Sequence, residues 1–291
     1  MVALGPDAKR SYQLSVKIAP EMMLDRRSSA GDGRMRVGDR ARAVLASPER
    51  CALFIDIDGT LLAVAPTPDS VSVPPGLMPL LDDVMQGLGG AAAVLTGRRI
   101  VDADRLFSPL HFIASGVHGT ELRSEPGAPI VTLAPPIPAS VVEAMHNIAG
   151  LAAGILVEEK GCGVAVHYRN APLARRALES ELAAIVAASS YDLVLREGRK
   201  VLEAVPRGYS KGTALTQIAA QAQFKGRRPI MVGDDVGDES AFLAAERLGG
   251  VGLRVAGEHY PADASDFGGV ADVRAWLEAL ADRLAPKRAA G

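Results

Sequence analysis

The feature that most constrains the fold is a set of short, continuous apolar runs that each end abruptly in polar residues. Three such runs cover Cys51–Ile55, residues 91–95 and residues 229–232. An uninterrupted apolar run of this length is typical of a strand buried on both faces, as in a parallel sheet. Helix-like stretches separate the runs, and strands that alternate with helices predict a doubly wound α/β fold.

The polar residues that follow these runs are expected to meet in space. Asp56, Thr96 and Asp234 stand at or next to the ends of the three runs. In a doubly wound sheet, ligands bind at the carboxyl ends of the strands. We therefore predict that these three residues converge at one edge of the sheet, although they are far apart in the sequence.

The middle of the chain, about residues 122–205, has a different rhythm. It predicts two helices, at residues 141–148 and 173–188. It also predicts two hairpins, with strands at residues 155–158, 163–168, 191–196 and 201–205. This order indicates a small antiparallel sheet with both helices on one face, which leaves the other face free to cover a site. We name this segment the cap and interpret it as an insertion in the α/β core.

Residues 1–48 differ from the rest of the chain. Arginines alternate there with acidic residues, and glycines interrupt any long periodicity. We predict a loosely ordered extension with a short helix near residues 12–24. A transit peptide is the weaker interpretation, because such peptides contain few acidic residues. The core is then expected to comprise residues 49–121 and 206–291.

Composition argues against several classes of function. The formal net charge is −2 and the sequence pI is near 6.2, whereas a protein that binds nucleic acid usually presents a basic field. Cys51 and Cys162, the only cysteines, form neither a metal-ligand spacing nor a disulfide framework, which favours a reducing cytoplasm. No apolar run approaches the ~20 residues of a membrane helix. We expect a cytoplasmic monomer that binds neither nucleic acid nor membrane.

The first candidate site residues belong to the sequence Asp56-Ile57-Asp58-Gly59-Thr60. Two carboxylates this close repel each other unless a cation lies between them, and Mg²⁺ suits one or two carboxylates together with a substrate phosphate. Asp56 could then attack phosphorus as a nucleophile. Asp58 could protonate the leaving alkoxide, deprotonate water and give its main-chain carbonyl to the metal. Taken alone, a solvated acidic turn explains the sequence equally well.

Two later clusters could complete such a site. In Thr96-Gly97-Arg98, a hydroxyl and adjacent N–H groups before a helix could hold phosphate oxygens, although a helix N-cap explains Thr96 equally well. Lys211 stands at the start of an apolar helix, where its charge could serve both the phosphate and the nucleophile. Taken alone, Lys211 is explained better as a surface lysine.

The last cluster follows the third apolar run and places four acids within residues 234–239. Asp234 would complete the metal shell, and Asp235 or Asp238 could be a second ligand or hold a ligand in place. For Asp238 and Glu239, an acidic helix start that favours the macrodipole is the alternative. The ordered set of acid pair, threonine, lysine and acid cluster is much more specific than any of its members.

In these four clusters the sequence resembles the haloacid dehalogenase superfamily of phosphohydrolases. Within that superfamily it is similar, from about residue 53 to residue 280, to the trehalose-6-phosphate phosphatase family. The closer similarity rests on five segments, in which x stands for any residue: Gly116-Val117-His118-Gly119-x-Glu121, Glu158-x-Lys160-Gly161, His167-Tyr168-Arg169, Glu203-x-x-Pro206-Arg207-Gly208-x-Ser210-Lys211-Gly212 and Gly233-Asp234-Asp235-x-x-Asp238-Glu239. Gly237 departs from the family pattern, which usually has threonine at that position.

The resemblance implies a Rossmann-like parallel-sheet core with an inserted α/β cap. It implies Mg²⁺-dependent hydrolysis of trehalose 6-phosphate through an aspartyl-phosphate, with Asp56 as nucleophile, Asp58 as general acid and base, and Thr96 and Lys211 as further catalytic residues. The implied metal ligands are Asp56, Asp58, Asp234 and Asp235. The implied substrate-binding residues are Asp56, Ile57, Asp58, His118, Gly119, Glu121, Glu158, Lys160, Arg169 and Glu203. Without the resemblance, solvated sheet polarity would explain the polar residues of the cap.

Three other functions remain open from the sequence. A sugar phosphomutase of the same superfamily would transfer the phosphoryl group rather than release it. A phosphatase for another sugar phosphate would share the core motifs. A receiver-like module would also use aspartate, threonine and lysine to accept a phosphoryl group, but it needs neither a cap nor the general acid Asp58.

Overall fold

The computed structural model describes residues 37–65, 70–150 and 152–286. Its strands are β1 (Cys51–Ile55), β2 (Ala92–Leu95), β3 (Ile113–Gly116), β4 (Glu121–Arg123), β5 (Val131–Thr132), β6 (Leu156–Glu159), β7 (Val164–His167), β8 (Leu193–Gly198), β9 (Val201–Pro206), β10 (Arg228–Gly233) and β11 (Val251–Arg254). Its α-helices are α1 (Asp39–Val44), α2 (Leu77–Gly87), α3 (Ile100–Phe107), α4 (Ala139–Ala149), α5 (Arg175–Ala188), α6 (Lys211–Ala219), α7 (Glu239–Arg247) and α8 (Val270–Leu284). Among these helices, none is long and apolar enough to cross a membrane.

A seven-stranded sheet in the order β11-β10-β1-β2-β3-β4-β5 forms the core. The strands from β11 to β3 are parallel, and β4 and β5 add an antiparallel edge. Every residue of β1 is buried, as are all four of β2, because helices cover both faces of a doubly wound sheet. The prediction of an α/β parallel sheet from three apolar runs is confirmed.

A separate four-stranded antiparallel sheet, in the order β6-β7-β9-β8, forms the body of the cap. Helices α4 and α5 pack on one face, where a second apolar cluster includes Met145, Val166, Leu178 and Leu202. Because successive side chains of a strand point to opposite faces, the neighbours of Val166 and Leu202 face away from the helices. The predicted cap of two helices on an antiparallel sheet is confirmed.

Strand register aligns one row of residues across the open face of the cap sheet. Glu158 of β6 pairs with Ala165 of β7, Ala165 pairs with Glu203 of β9, and Glu203 pairs with Arg196 of β8. Directly opposed residues in adjacent strands share a face. The row therefore brings two carboxylates and a guanidinium onto the surface that the helices leave free.

The limits of the cap differ from those expected. Strands β4 and β5 belong to the large sheet, because β4 pairs with β3 and β5 with β4, although the cap was predicted to begin at residue 122. The apolar cluster under the cap sheet begins at Ile137. We therefore propose that the cap extends from about residue 134 to residue 206, rather than over residues 122–205.

The two segments that connect the cap to the core lie side by side. Tyr209, just after the cap, donates its hydroxyl proton to the carbonyl of Leu133, just before it, at 2.7 Å. The chain thus enters and leaves the cap at one place.

Residues 37–48 pack on the core, although residues 1–48 were predicted to form a loose extension. Helix α1 buries Ala41, and the Ala41 carbonyl accepts a hydrogen bond from Trp276 Nε1 at 2.9 Å. Arg40 forms a two-point pair with Asp266, at 3.0 and 2.6 Å. Only six residues long, with the sequence Asp-Arg-Ala-Arg-Ala-Val, α1 is too short to show the apolar periodicity that would have predicted it. The predicted helix near residues 12–24 lies outside the described residues.

The packing of α1 and α8 through Trp276 predicts a large loss of stability on truncation. Trp276 is fully buried and its ring lies 5.6 Å from that of Phe267. Trp276→Ala should lower the free energy of unfolding by about 3–5 kcal/mol, whereas Glu278→Ala on the exposed face of α8 should change it by less than about 0.5 kcal/mol. Urea unfolding measures both changes. It is followed by far-UV circular dichroism and not by tryptophan fluorescence, because Trp276 is the only tryptophan of the chain and the variant removes it. Equal midpoints for the two variants would contradict this packing.

Candidate active site

A cavity of about 490 Å³ lies between the carboxyl edge of the core sheet and the open face of the cap. Asp56 and Asp234 follow β1 and β10, which are adjacent parallel strands. Their side chains therefore reach the same end of the sheet. The predicted site residues that line the cavity are Asp56, Asp58, His118, Glu158, Lys160, Arg169, Glu203, Lys211, Asp234 and Asp235.

Lys211 holds Asp56 in place from the start of α6. Its Nζ lies 2.7 Å from Asp56 Oδ1 and 2.7 Å from Asp238 Oδ1. A capping box between Ser210 and Thr213 fixes the first turn of α6 and thereby the position of Lys211. One buried ammonium thus bridges two buried carboxylates.

Asp238 shapes the loop that carries Asp234. Its Oδ2 accepts hydrogen bonds from the amides of Asp234 and Asp235, both at 3.1 Å. Asp235 in turn uses Oδ1 to accept from Val236 N at 2.8 Å and Oδ2 to accept from Arg199 N at 3.0 Å. The carboxylate predicted as a fourth metal ligand, Asp235, is therefore occupied by backbone amides.

Three buried carboxylates form the cluster best suited to a cation. Ligand oxygens of Asp56, Asp234 and Asp238 all lie within 4.8 Å of one another. Gly59 allows this approach: its φ is 89°, and an added Cβ would collide with the Asp234 carboxylate. Thr60 Oγ1 donates to Asp234 Oδ1 at 3.3 Å. The sequence that follows β1 therefore also positions Asp234.

Asp58 points away from this cluster toward Arg98. The guanidinium of Arg98 binds it at two points, 2.6 and 2.7 Å, and Asp58 raises the pKa of Arg98 although burial opposes this. Thr96 Oγ1 accepts from Arg98 N at 3.0 Å. Thr96 therefore fixes the turn that presents Arg98, and it is not among the residues that line the cavity.

Burial disfavours the ionised form of two of these carboxylates, Asp56 and Asp234. Burial raises the pKa of Asp56 well above its ordinary value; Lys211 opposes this, and Asp238 and Asp234 add to it. Burial likewise raises the pKa of Asp234 to about 7, against the opposing charge of Arg199. Asp238 and Asp56 raise the pKa of Lys211, although burial favours its neutral form. The lysine stays charged, and the cluster retains affinity for a further positive charge.

Glu203 joins the cap to the core on the other side of the cavity. Its Oε1 lies 2.6 Å from Lys160 Nζ and its Oε2 lies 2.5 Å from His118 Nε2. Burial favours the neutral form of Glu203, but His118 and Lys160 outweigh burial and hold its pKa well below the ordinary value. Lys160 also donates to Gly97 O at 3.0 Å, and Glu158 accepts from His167 at 2.8 Å. The polar cap residues therefore meet at one place.

Backbone conformation projects His118 into the cavity. Val117 and His118 have φ values of 45° and 51°, which are uncommon for residues other than glycine. At Gly119 an added Cβ would lie 2.6 Å from Ser210 O, so the loop packs closely on the start of α6. His118 Nδ1 is buried without a hydrogen-bond partner in the described part of the chain. Strain of this kind is a common property of ligand-binding positions.

Three of the predicted substrate-binding residues do not line the cavity. Ile57 is fully buried in the apolar core. Gly119 contacts the backbone of Ser210. Glu121 accepts a hydrogen bond from Ile100 N at 2.8 Å and lies 3.5 Å from Arg99, at the start of α3. Glu121 therefore anchors the start of α3.

Sequence reasoning missed three arginines of the site. Arg98 is the partner of Asp58, Arg196 lies opposite Glu203 in the cap sheet, and Arg199 lies 2.7 Å from Asp234. Strand alternation could have placed Arg196 on the face of Glu203, since two residues separate each of them from the two-residue turn of the hairpin. For Arg98 and Arg199, no sequence signal indicates which acid they meet.

Comparison with known proteins agrees with this site. The model of the trehalose-phosphatase family matches residues 54–266, which include every cavity residue named above. The chain belongs to the trehalose-phosphatase family. The resemblance to the trehalose-phosphatase family that the sequence indicated is confirmed.

Relatives extend the similarity over most of the chain. A protein of Sinorhizobium fredii named "Probable trehalose-phosphate phosphatase" is 42% identical over 206 residues, which are 70% of this chain and 77% of that protein. The trehalose-6-phosphate phosphatase of Escherichia coli is 37% identical over 238 residues, 81% and 89% of the two chains. The C-terminal domain of the Candida albicans trehalose-6-phosphate phosphatase superposes with a TM-score of 0.71 at 17% identity, covering 86% of this chain and 99% of that one, and shows the shared fold.

The raised pKa values of Asp56 and Asp234 predict a pH-dependent stability. In the folded protein the carboxyl group of Asp234 stays protonated up to about pH 7, whereas an aspartate of the unfolded chain titrates near pH 3.8. The folded state therefore binds more protons between about pH 4 and pH 7, and the free energy of unfolding should fall as the pH rises, by up to about 1.4 kcal/mol per pH unit for each group. Urea unfolding in EDTA across this range measures the slope.

Asp234→Asn should flatten this slope, because the amide does not titrate. Asp83→Asn, at an exposed position of α2, should leave it unchanged. Equal slopes for the two variants would show that Asp234 is not a source of the pH dependence.

Proposed function

We propose that this protein hydrolyses trehalose 6-phosphate to trehalose and phosphate through an aspartyl-phosphate on Asp56. One observation carries the proposal: the buried Asp56 carboxylate, bound to Lys211, opens into the same cavity as the charged row of the cap. Membership of the trehalose-phosphatase family supports the substrate.

The donor set suits a divalent cation. Carboxylate oxygens of Asp56, Asp234 and Asp238 lie within 4.8 Å of one another, and hard oxygen donors of this kind suit Mg²⁺. Asp238 is already bound to Lys211 and to two amides. We therefore propose that Asp56, Asp234 and the main-chain carbonyl of Asp58 hold Mg²⁺. When bound, the cation would supply positive charge to the phosphate oxygens and favour the ionised form of both carboxylates.

Asp56 would form a bond to phosphorus as the bond from phosphorus to the sugar oxygen breaks. Lys211 keeps the attacking oxygen oriented and balances charge that develops on the phosphoryl group. The leaving alkoxide takes its proton from Asp58. A water molecule then returns a proton to Asp58 and attacks phosphorus, which releases phosphate and restores the Asp56 carboxylate.

Arg98 has to leave Asp58 for this proton transfer to occur. Both carboxylate oxygens of Asp58 accept hydrogen bonds from the Arg98 guanidinium, so neither oxygen is free to carry the proton that the first step needs. We propose that the substrate phosphate attracts Arg98 and frees Asp58, so that proton donation starts only when a phosphate ester is present.

The cap would recognise the sugar through four charged groups, of which Lys160 lies 2.6 Å from Glu203 and 3.9 Å from Glu158 in this structure. Glu158, Lys160, Arg169 and Glu203 carry donors and acceptors that suit sugar hydroxyls, and charge-assisted hydrogen bonds of this kind discriminate strongly. His118 reaches Glu203 from the core, so the sugar would be held between the two domains. Closure over the substrate would exclude bulk water from the phosphoryl intermediate. A cytoplasmic location and a monomeric state stay predictions of the sequence.

Asp56→Asn should abolish turnover while the protein stays folded. The amide lacks the nucleophilic oxygen, so kcat should fall at least about 1,000-fold. The melting temperature should hold or rise, since burial disfavours the charged form of Asp56. Phosphate release and differential scanning fluorimetry measure both, with Asp83→Asn as a control of equal charge change. Substantial activity in Asp56→Asn would refute the nucleophile assignment.

Substrate and cation are tested together by phosphate release from trehalose 6-phosphate and glucose 6-phosphate, each with Mg²⁺ or EDTA. We expect trehalose 6-phosphate to be preferred at least about 100-fold in kcat/KM, because glucose 6-phosphate lacks one sugar ring that the cap could bind. We expect activity only with Mg²⁺. Equal rates on both sugars would refute the substrate, and full activity in EDTA would refute the cation. Formation of an isomeric sugar phosphate without free phosphate would favour a phosphomutase.

A further inference from the structure

The turn between β8 and β9 reaches from the cap into the acidic loop of the core. It consists of Arg199 and Lys200, and Lys200 has a φ of 57°. Tyr168 N donates to Lys200 O at 2.9 Å, which ties the turn to the cap. Arg199 N donates to Asp235 Oδ2 at 3.0 Å, which docks the same turn on the core.

The two cations of this turn contact different acids. Arg199 Nη2 lies 2.7 Å from Asp234 Oδ2, and the Arg199 side chain is 16% exposed. Lys200 Nζ lies 3.0 Å from Glu258 Oε1, and its side chain is 40% exposed. Of the two, only Arg199 lines the cavity. There it contacts Asp234, a residue of the proposed cation site.

Both carboxylate oxygens of Asp234 already accept a hydrogen bond. Thr60 uses its Oδ1 and Arg199 uses its Oδ2. A divalent cation held by Asp56 and Asp234 would stand within a few ångströms of the guanidinium, in a buried place where like charges repel strongly. Arg199 and the cation would thus both bind the Asp234 carboxylate while repelling each other.

We propose that Arg199 and a divalent cation compete for Asp234, so that cation binding releases the turn and loosens the cap from the core. Arg199 is in this respect a positioning residue: it acts on the reaction through Asp234 and not by touching the substrate. The inference rests on the proposed function, because it presupposes that a cation binds at Asp56 and Asp234.

Direct titration with Mn²⁺ tests the competition without any assay of turnover. The parent and the variants Arg199→Gln, Arg199→Lys and Lys200→Gln are each stripped of metal with EDTA and desalted. Each apoprotein is then titrated with Mn²⁺, and binding is followed by electron paramagnetic resonance. We expect Arg199→Gln to bind Mn²⁺ at least about fivefold more tightly than the parent, and Arg199→Lys to stay within about twofold. Lys200→Gln removes the same charge one residue away and should also stay within twofold. Equal or weaker binding by Arg199→Gln relative to Lys200→Gln would overturn the proposal.

Hydrogen–deuterium exchange of the turn gives a second readout. Adding Mg²⁺ to the parent should speed exchange at the amides of Arg199 and Lys200, because the turn leaves Asp234 and Asp235. In Arg199→Gln, exchange there should be fast before Mg²⁺ is added and should change little afterwards. Slower exchange in the parent with Mg²⁺ would contradict release of the turn.

Different results would refute the proposed cation site and the competition at Asp234. A parent that binds no Mn²⁺ at a saturable site would refute the proposed cation site and this inference with it. A parent that binds Mn²⁺ and hydrolyses trehalose 6-phosphate, with Arg199→Gln no tighter, would refute the inference alone.

Discussion

The arrangement of the site depends on one buried ammonium. Lys211 Nζ lies 2.7 Å from both Asp56 and Asp238, and so joins the end of β1, the start of α6 and the loop after β10. These three segments are far apart in the sequence, and the strand order brings them to one edge of the sheet. Removing the ammonium would leave two buried carboxylates facing each other, a costly arrangement. The charge that orients the nucleophile thus also holds the acidic loop.

Around that ammonium the protein keeps more negative than positive charge, and the imbalance explains its chemistry. Burial raises the pKa of both Asp56 and Asp234, and the neighbouring carboxylate of Asp238 adds to the increase in each case. The side of the cavity that faces the cap is balanced differently, because Glu203 has both His118 and Lys160 as partners. We therefore expect the end of the cavity near Asp56 to suit a cation and the end near Glu203 to suit neutral hydroxyls, which can exchange with the existing ion pairs.

The sequence predicted those parts of the structure that depend on local patterns. Apolar runs located β1, β2 and β10, and alternating segments located the cap helices and hairpins, since burial imposes a period that a single chain displays. The edge strands β4 and β5 were missed because they are short, and Val131 is half exposed. Glu121 was assigned to the substrate because a motif identifies a residue but not the direction of its side chain. Arg199 was missed because its partner, Asp234, is 35 residues away in the chain.

The adjacent connections at Leu133 and Tyr209 determine what kind of movement is available to the cap. Two connecting segments that lie together act as one hinge, so the cap can rotate about them, whereas sliding would break their hydrogen bond. Strand β9 spans the distance between this hinge and the turn at Arg199 and Lys200, about 20 Å for six residues. A rotation of about 10° would then move the turn by about 3 Å, enough to break any contact between the turn and the core, while residues beside the hinge hardly move.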